Sequence, residues 1–145
     1  MNIKALATLI LCMTYSHISQ AYETIISQRD GSLSSLTINS GKISLVTNNT
    51  SSMELDIESE KELHLEISDY NFDGFIDFSV WHMDDGMGTY MEYRVFIYNR
   101  SRKSFEEAHP ACGDEFINLK TDTKKKRLTS TWFTENTPNI CHTKL

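Results

Sequence analysis

The chain has 145 residues, of which 14 are basic and 20 acidic, and its net charge is −6. This length predicts one domain that buries about two-thirds of the surface its unfolded chain would expose. The acidic balance argues against nucleic acid and anionic membranes as partners, because both are bound through basic surfaces. It suits a basic protein partner, although moderate acidity also serves simply to keep a secreted domain soluble.

The first 21 residues predict a secretory signal peptide. Lys4 precedes an apolar run over 5–13, and the polar stretch that follows ends in small residues at Ala21. The run is too short to span a bilayer, and cleavage is expected after Ala21. The sequence therefore predicts a signal peptide over 1–21, a single β domain over 22–145 and export to the periplasm.

A lipoprotein leader is the alternative for this segment, because Cys12 follows the apolar triplet 9–11. Leu11 is bulky where such a leader carries a small residue, so cleavage after Ala21 is favoured over lipidation. Cleavage removes Lys4 and no acidic residue, which makes the mature chain one charge unit more negative.

Export predicts disulfides, and cleavage leaves two cysteines, Cys112 and Cys141, which allow one pairing. On the chain-entropy model, closing this loop of roughly 30 residues stabilises the C-terminal segment by about 3–4 kcal/mol. The chain has no C-x-x-C pair, so zinc is not expected, and His109 and His142 are predicted to lie at the surface.

Short segments that alternate between apolar and polar residues recur along the mature chain, separated by glycine, asparagine and serine turns. They predict strands over 22–29, 33–38, 42–47, 53–57, 61–68, 76–82, 91–98 and 127–133, a further strand from Ser104, and a strand or helical turn over 116–119. No stretch shows sustained helical periodicity. The predicted fold is all-β and antiparallel, either propeller-like or sandwich-like.

The segment 91–98 predicts the central strand of this fold. Tyr93 and Val95 fall on one face, whereas Phe96 and Tyr98 fall on the other. Because a strand places alternate side chains on opposite faces, apolar residues at both sets of positions predict burial on both sides.

A calcium loop is predicted between the segments 61–68 and 76–82. Its predicted ligands are Asp69, Asn71, Asp73, the backbone carbonyl of Phe75, and Asp77. They occupy loop positions 1, 3, 5, 7 and 9, and Gly74 stands at position 6, where the chain turns sharply. Ca²⁺ prefers oxygen ligands of this kind, about six to eight of them.

This loop departs from a helical EF-hand. Position 12, where an EF-hand carries a bidentate glutamate, is Val80, so the ion needs a further ligand from elsewhere or from water, or binds more weakly. We expect an EF-hand-like loop between strands, with a structural ion that also holds the following segment 84–90 ready for binding. The alternative is a metal-free turn, because Asp, Asn and Gly are also ordinary turn residues.

The glycine-bearing segment 84–90 connects the strand after the calcium loop with the central strand. Asp84 and Asp85 suit contact with a basic surface, and Met87 suits an adaptable apolar contact. This segment is therefore a candidate binding loop.

The features follow one another in an order that resembles a known family. The motif Asp69-x-Asn71-Phe72-Asp73-Gly74-x-x-Asp77-Phe78 precedes the glycine segment, then Tyr90-x-x-Tyr93-x-x-Phe96-x-Tyr98, Phe105 and Arg127-Leu128-Thr129-Ser130. Over residues 63–133, the pattern resembles the calcium-loop periplasmic immunity proteins of bacterial-killing secretion systems. These proteins are related to periplasmic inhibitors of i-type lysozyme.

The resemblance implies a β-propeller-like fold, calcium at the five ligands named above, and an inhibitory loop that plugs the cleft of a lysozyme-like enzyme. That loop would comprise Asp84, Asp85, Gly86, Met87, Gly88 and Tyr90, with Tyr90 as the aromatic plug. The segment is more acidic than the family pattern, which leaves the target enzyme open. Alternatively, Tyr90 is only a strand-start residue with its hydroxyl at the surface.

The expected function is therefore non-enzymatic: a periplasmic immunity or inhibitor protein that blocks a peptidoglycan-degrading toxin or enzyme. The chain has neither a G-x-S-x-G nor an H-E-x-x-H motif. One alternative is a secreted calcium-dependent carbohydrate-binding or adhesion module, although repeat architectures need several units and the calcium loop occurs once. A small secreted hydrolase is another, since carboxylates distant in sequence can converge in a fold.

Overall fold

The computed structural model describes residues 22–39, 41–48 and 51–145, and the predicted signal peptide lies outside them. The strands are β1 (Tyr22–Ser27), β2 (Leu33–Asn39), β3 (Lys42–Thr47), β4 (Ser51–Asp56), β5 (His64–Ser68), β6 (Asp77–Met83), β7 (Met91–Asn99), β8 (Ser104–Ala108), β9 (Phe116–Asp122), β10 (Arg127–Thr134) and β11 (Thr137–Thr143). Within the described residues, no helix has the length and apolar character needed to cross a membrane.

The strands form two antiparallel sheets. β1 to β4 make a meander in chain order, the amino-terminal sheet. The carboxyl-terminal sheet has seven strands in the order β11-β10-β9-β7-β6-β5, with β8 also paired to β7, and it curls into a half-barrel. The described chain is thus all-β and antiparallel, as the alternating pattern predicts.

A first core joins the two sheets. Leu36 and Ile43 of the amino-terminal sheet share it with Phe78 and Phe96 of the carboxyl-terminal sheet, and all four are fully buried. The rings of Phe78 and Phe96 stack with their centroids 4.7 Å apart. Because burial of each such side chain contributes about 1.5–3 kcal/mol, this core holds the sheets together.

A second core lies on the other face of β7. Tyr93 and Val95 of β7 pack there with Phe116 and Leu128, whereas Phe96 of the same strand belongs to the first core. Alternate residues of one strand therefore serve two cores. This arrangement confirms the prediction that 91–98 is a central strand covered on both sides.

β7 changes its neighbour on one edge partway along its length. Its residues 95–99 pair with β8, whereas Glu92 and Tyr93 pair with β9. The opposite edge pairs with residues 78–83 of β6. The loop over 109–115 connects β8 to β9 at this fork.

The last strand, β11, is not predicted from the sequence. For the residues after 133, the sequence predicts only a tail that Cys141 holds in place. In the structure, β11 pairs with β10 along its length. Pro138 lies opposite Phe133 on this edge strand, where a residue without a backbone N–H is tolerated. The segment 116–119, left open between strand and helical turn, is part of β9.

Cys112 and Cys141 pair as predicted. Cys112 lies in the loop 109–115, Cys141 lies in β11, and their Cα atoms are 5.8 Å apart in a disulfide. The bond fastens that loop to the edge of the carboxyl-terminal sheet. His109 and His142 are exposed, as expected.

Candidate functional site

Two loops carry the residues that the sequence singles out, and they lie at opposite ends of β6. The acidic loop (residues 69–77) leads into this strand, and the glycine loop (residues 84–90) follows it. From Asp77 to Met83 the strand advances by about 20 Å, at about 3.4 Å for each residue after the first, and this distance separates the loops. An ion in the acidic loop would therefore not contact the glycine loop, and it could hold that segment ready only through β6.

Three side chains of the acidic loop bring their oxygens together. Asp69 Oδ1 and Asn71 Oδ1 both accept hydrogen bonds from the backbone N–H of Asp73, each at 3.1 Å. Asp69 Oδ2 accepts one from the N–H of Gly74 at 2.8 Å, and Asn71 Nδ2 donates to Asp73 Oδ2 at 3.1 Å. The structure thus gathers the residues at positions 1, 3 and 5 into one cluster.

Gly74 and Phe72 give this loop its sharp turn. Gly74 has a φ of 86°, in the left-handed region that favours glycine, and Phe72 has a φ of 63°. A Cβ at Gly74 would also lie 2.6 Å from Nη1 of Arg29, which covers the loop. A side chain at this position would therefore meet backbone strain, and it would displace the flexible guanidinium of Arg29.

Asp77, the predicted ligand at position 9, faces inward. It is fully buried, its Oδ2 accepts hydrogen bonds from the N–H groups of Tyr70 (2.7 Å) and Asn71 (3.4 Å), and its Oδ1 accepts one from the N–H of Tyr98 (2.9 Å). Burial raises the pKa of Asp77 to about 6, although these amides act in the opposite direction. Asp77 ties the start of the acidic loop to β7.

The donor chemistry of the loop fits a hard cation, but its own side chains do not complete a shell. Two carboxylates and one amide converge, and Ca²⁺ takes about six to eight oxygens. Val80 is buried in the core, so position 12 supplies no ligand. Within the described residues, no three His, Cys, Asp or Glu side chains stand in metal-ligand geometry. The Phe75 carbonyl and water are the remaining candidates.

The ring of Phe75 is half-buried and contacts Tyr98 and Arg100. It stacks on Tyr98 with ring centroids 5.7 Å apart, and the guanidinium carbon of Arg100 lies 5.7 Å from its centroid. These contacts fix the backbone at position 7, where the sequence predicts a carbonyl ligand.

Two residues that hold the acidic loop, Gln28 and Tyr70, were not predicted from the sequence. The buried side-chain amide of Gln28 donates from Nε2 to the carbonyl of Ile76 at 2.6 Å and accepts at Oε1 from its N–H at 2.9 Å. The hydroxyl of Tyr70 is hydrogen-bonded to that of Ser79 at 2.8 Å, and burial raises its pKa. Gln28 could not be found by local pattern, because it lies 48 residues from its partner.

The glycine loop is organised by its first residue, Asp84. The carboxylate accepts hydrogen bonds from the N–H groups of Gly88, Thr89 and Tyr90, and the N–H of Asp84 donates to the carbonyl of Tyr90 at 2.9 Å. These amides, that of Tyr90 foremost, hold the pKa of Asp84 below its usual range. Asp84 therefore shapes the loop from within.

Of the remaining residues of the glycine loop, Asp85 is hydrogen-bonded to a neighbouring segment and Met87 is exposed. Asp85 Oδ1 accepts hydrogen bonds from the hydroxyl of Ser59 at 3.0 Å and the N–H of Glu60 at 3.1 Å. Met87, between Gly86 and Gly88, is 90% exposed. The structure thus makes Met87 the projecting side chain.

Tyr90, the predicted aromatic plug, lies at the base of this loop. Its ring contacts Phe133 of β10 edge to face, with centroids 5.2 Å apart, and it is half-buried. This position suits a residue that supports the loop more than one that projects from it.

An acidic groove of about 300 Å³ lies beside the glycine loop. Its lining includes Glu58, His82, Asp85, Glu92, Arg94 and Glu115. Arg94 makes a bidentate pair with Glu107, both bonds being 2.7 Å long. Burial and, to a lesser extent, the nearby Glu115 raise the pKa of Glu92. The groove therefore gives the flank of the glycine loop an acidic character.

Searches against protein-family models, curated proteins and solved structures found no match to this chain.

Proposed function

We propose that the protein is a periplasmic immunity or inhibitor protein, which inserts its glycine loop into the cleft of a lysozyme-like, peptidoglycan-degrading enzyme. One observation carries the proposal: a loop closed internally by Asp84 presents Met87 almost fully exposed at its tip. A loop already ordered before binding loses little conformational entropy in the complex. A flexible thioether adapts to the wall of a cleft.

The surroundings of the loop favour a basic target. Glu58, Asp85 and Glu115 line the groove beside it, and the chain as a whole is acidic. Complementary charge speeds encounter with a partner that carries a basic rim. The disulfide between Cys112 and Cys141 is compatible with the oxidising compartment where such an enzyme acts.

The acidic loop has a separate role in this proposal, as a structural calcium site. Asp69, Asn71 and Asp73 would hold the ion together with the carbonyl of Phe75, and Asp77 would support them from inside. The converging oxygens and the turn at Gly74 support this assignment. A bound cation would neutralise the repulsion between the carboxylates and stabilise the folded state.

The experiment is a titration of the purified, calcium-loaded protein against a panel of peptidoglycan hydrolases, with loss of cell-wall turbidity as the readout. Stoichiometric loss of activity in one enzyme supports the proposal and identifies the target class. Full activity of every enzyme, together with binding in a glycan screen, would instead favour the carbohydrate-binding alternative. Turnover of labelled peptidoglycan by the protein alone would reveal a hydrolase.

A further inference from the structure

Two residues of the turn between β1 and β2 contact the acidic loop, and a third is linked to it through Tyr98, although the turn belongs to the other sheet. We call this turn, residues 28–32, the clasp. Its own shape is fixed by the N–H of Gln28 donating to the carbonyl of Ser32 at 2.9 Å and by the N–H of Ser32 donating to Asp30 Oδ1 at 2.9 Å. The clasp is therefore a defined element and not a loose connection.

The first contact is the side chain of Gln28. It is buried, and it pairs with both backbone groups of Ile76, in the way that a neighbouring strand would. Ile76 occupies position 8 of the acidic loop. A change in the course of the loop would therefore break two partly buried hydrogen bonds that hold the clasp, and each unpaired group is unfavourable.

The second contact is Arg29, whose guanidinium lies over Gly74. The third is Asp30, whose Oδ2 accepts a hydrogen bond from the hydroxyl of Tyr98 at 3.1 Å. The backbone N–H of Tyr98 in turn donates to Asp77. Positions 6, 8 and 9 of the acidic loop are thus each linked to the clasp, directly or through one residue.

We propose that the clasp couples metal loading of the acidic loop to docking of the amino-terminal sheet on the carboxyl-terminal sheet. This inference rests on the calcium site of the proposed function, and it adds the way in which that site acts. An ion that fixes the course of the loop also fixes the groups that hold Gln28. By linkage, a docked clasp must then raise the affinity of the loop for the ion by the same factor.

Calcium titration by calorimetry tests this coupling, with Gln28→Ala against the unaltered protein. Gln28 is not among the predicted ligands, yet its substitution should raise the calcium Kd by about fivefold or more. The matched control is Ser34→Ala, which removes a buried hydroxyl that bonds to Thr47 at 2.9 Å within the amino-terminal sheet. The control should leave the Kd unchanged.

Hydrogen exchange provides the second readout. In the unaltered protein, a chelator should accelerate exchange of the amides of β1 and β2, and Gln28→Ala should remove this dependence on calcium. Tyr98→Phe, which deletes the bond to Asp30, is the second variant should Gln28→Ala fail to fold. It is expected to raise the Kd in the same direction.

The outcomes separate the two proposals. If the unaltered protein shows no calcium isotherm, both the metal site and its coupling to the clasp are overturned. If it binds calcium, but the clasp variants keep the same Kd and calcium leaves exchange in β1 and β2 unchanged, the coupling alone is overturned. Neither outcome affects the assignment of the glycine loop.

Discussion

The two loops at the ends of β6 are each closed locally by the carboxylate of their first residue, Asp69 or Asp84, but they differ in what ties their later residues to the rest of the molecule. In the glycine loop, the carboxylate of Asp84 binds amides four to six residues further along. In the acidic loop, Ile76 is held by Gln28 from 48 residues away, and Asp77 is held by Tyr98 from 21 residues away. The glycine loop also has distant contacts, from Asp85 to Ser59 and from Tyr90 to Phe133, but the hydrogen bonds that close it are local. The later residues of the acidic loop depend instead on the packing of the sheets.

This difference suits two tasks. The local closure of the glycine loop presents a contact residue in a fixed shape. The long-range contacts of the acidic loop make its state depend on the whole fold. If the two ends of β6 are separate in this way, a change in one loop should leave the properties of the other loop unchanged.

Calcium removal is expected to have the largest effect, and to act on stability. At about 100 times its Kd, an ion that binds only the folded state contributes about 2.7 kcal/mol, which for a domain of this size is roughly 10 °C in Tm. Asp73→Ala should abolish the calcium-dependent part. Asp114→Ala, which removes an exposed aspartate from the loop 109–115, should retain it. If the unaltered protein has the same Tm with calcium and with a chelator, the acidic loop is not a calcium site.

Met87→Ala should act on inhibition alone. Truncating an apolar anchor at the centre of an interface costs about 2 kcal/mol, or roughly a 30-fold rise in the inhibition constant. Because the side chain of Met87 is exposed and does not pack in either core, the Tm should not change. Ile25→Ala is the matched control, because Ile25 is 69% exposed on β1. Equal inhibition by both variants would exclude Met87 from the interface.

Asp84→Ala should weaken inhibition less than Met87→Ala, because it loosens the loop without removing the contact. Three backbone amides lose their acceptor, so exchange at Gly88 and Tyr90 should become faster. Calcium affinity should not change, since the acidic loop lies at the other end of β6. A changed calcium Kd in this variant would contradict the separation of the two loops.

The smallest effect is expected from lowering the pH, which protonates Asp84 and removes its contribution to stability. The pKa of Asp84 in the folded state lies below the ordinary value of 3.8, so the native state binds this proton less readily than the unfolded state does. Its contribution is fully present above the unfolded pKa and is lost as pH falls through the lowered folded value. NMR shifts of the Gly88 and Tyr90 amides should follow this titration below pH 3.8. A midpoint above that pH would show that these amides do not hold the carboxylate.

Local pattern was sufficient for most of the fold. The alternation along 91–98 predicted a strand buried on both faces, and Tyr93 and Phe96 do lie in different cores. It failed at β11, because Pro138 interrupts the strand pattern, and only the sheet shows that Pro138 lies on an edge. The conformation was set by pairing with β10, which the tail's own residues do not reveal.

The sequence predicted which residues form the two loops better than it predicted what each of these residues contacts. The spacing of Asp69, Asn71 and Asp73 placed their oxygens together, as the structure shows. The same spacing did not reveal that Asp77 faces the interior, because its partner Tyr98 lies on another strand. Likewise, the sequence did not reveal that Tyr90 packs against Phe133, because this contact joins distant segments. Met87 is instead the exposed residue of the glycine loop.

The bond between Gln28 and Ile76 also has a consequence for the order of folding. Strands β1 to β4 pair only with their neighbours in the chain, so they can form as soon as they are made. The buried amide of Gln28, however, has no partner until the chain has reached Ile76, 48 residues later. Because distant contacts close slowly, we expect docking of the sheets to be a late step. Until then the apolar face of the amino-terminal sheet would stay open, and we expect the chain to be most prone to aggregate during that interval.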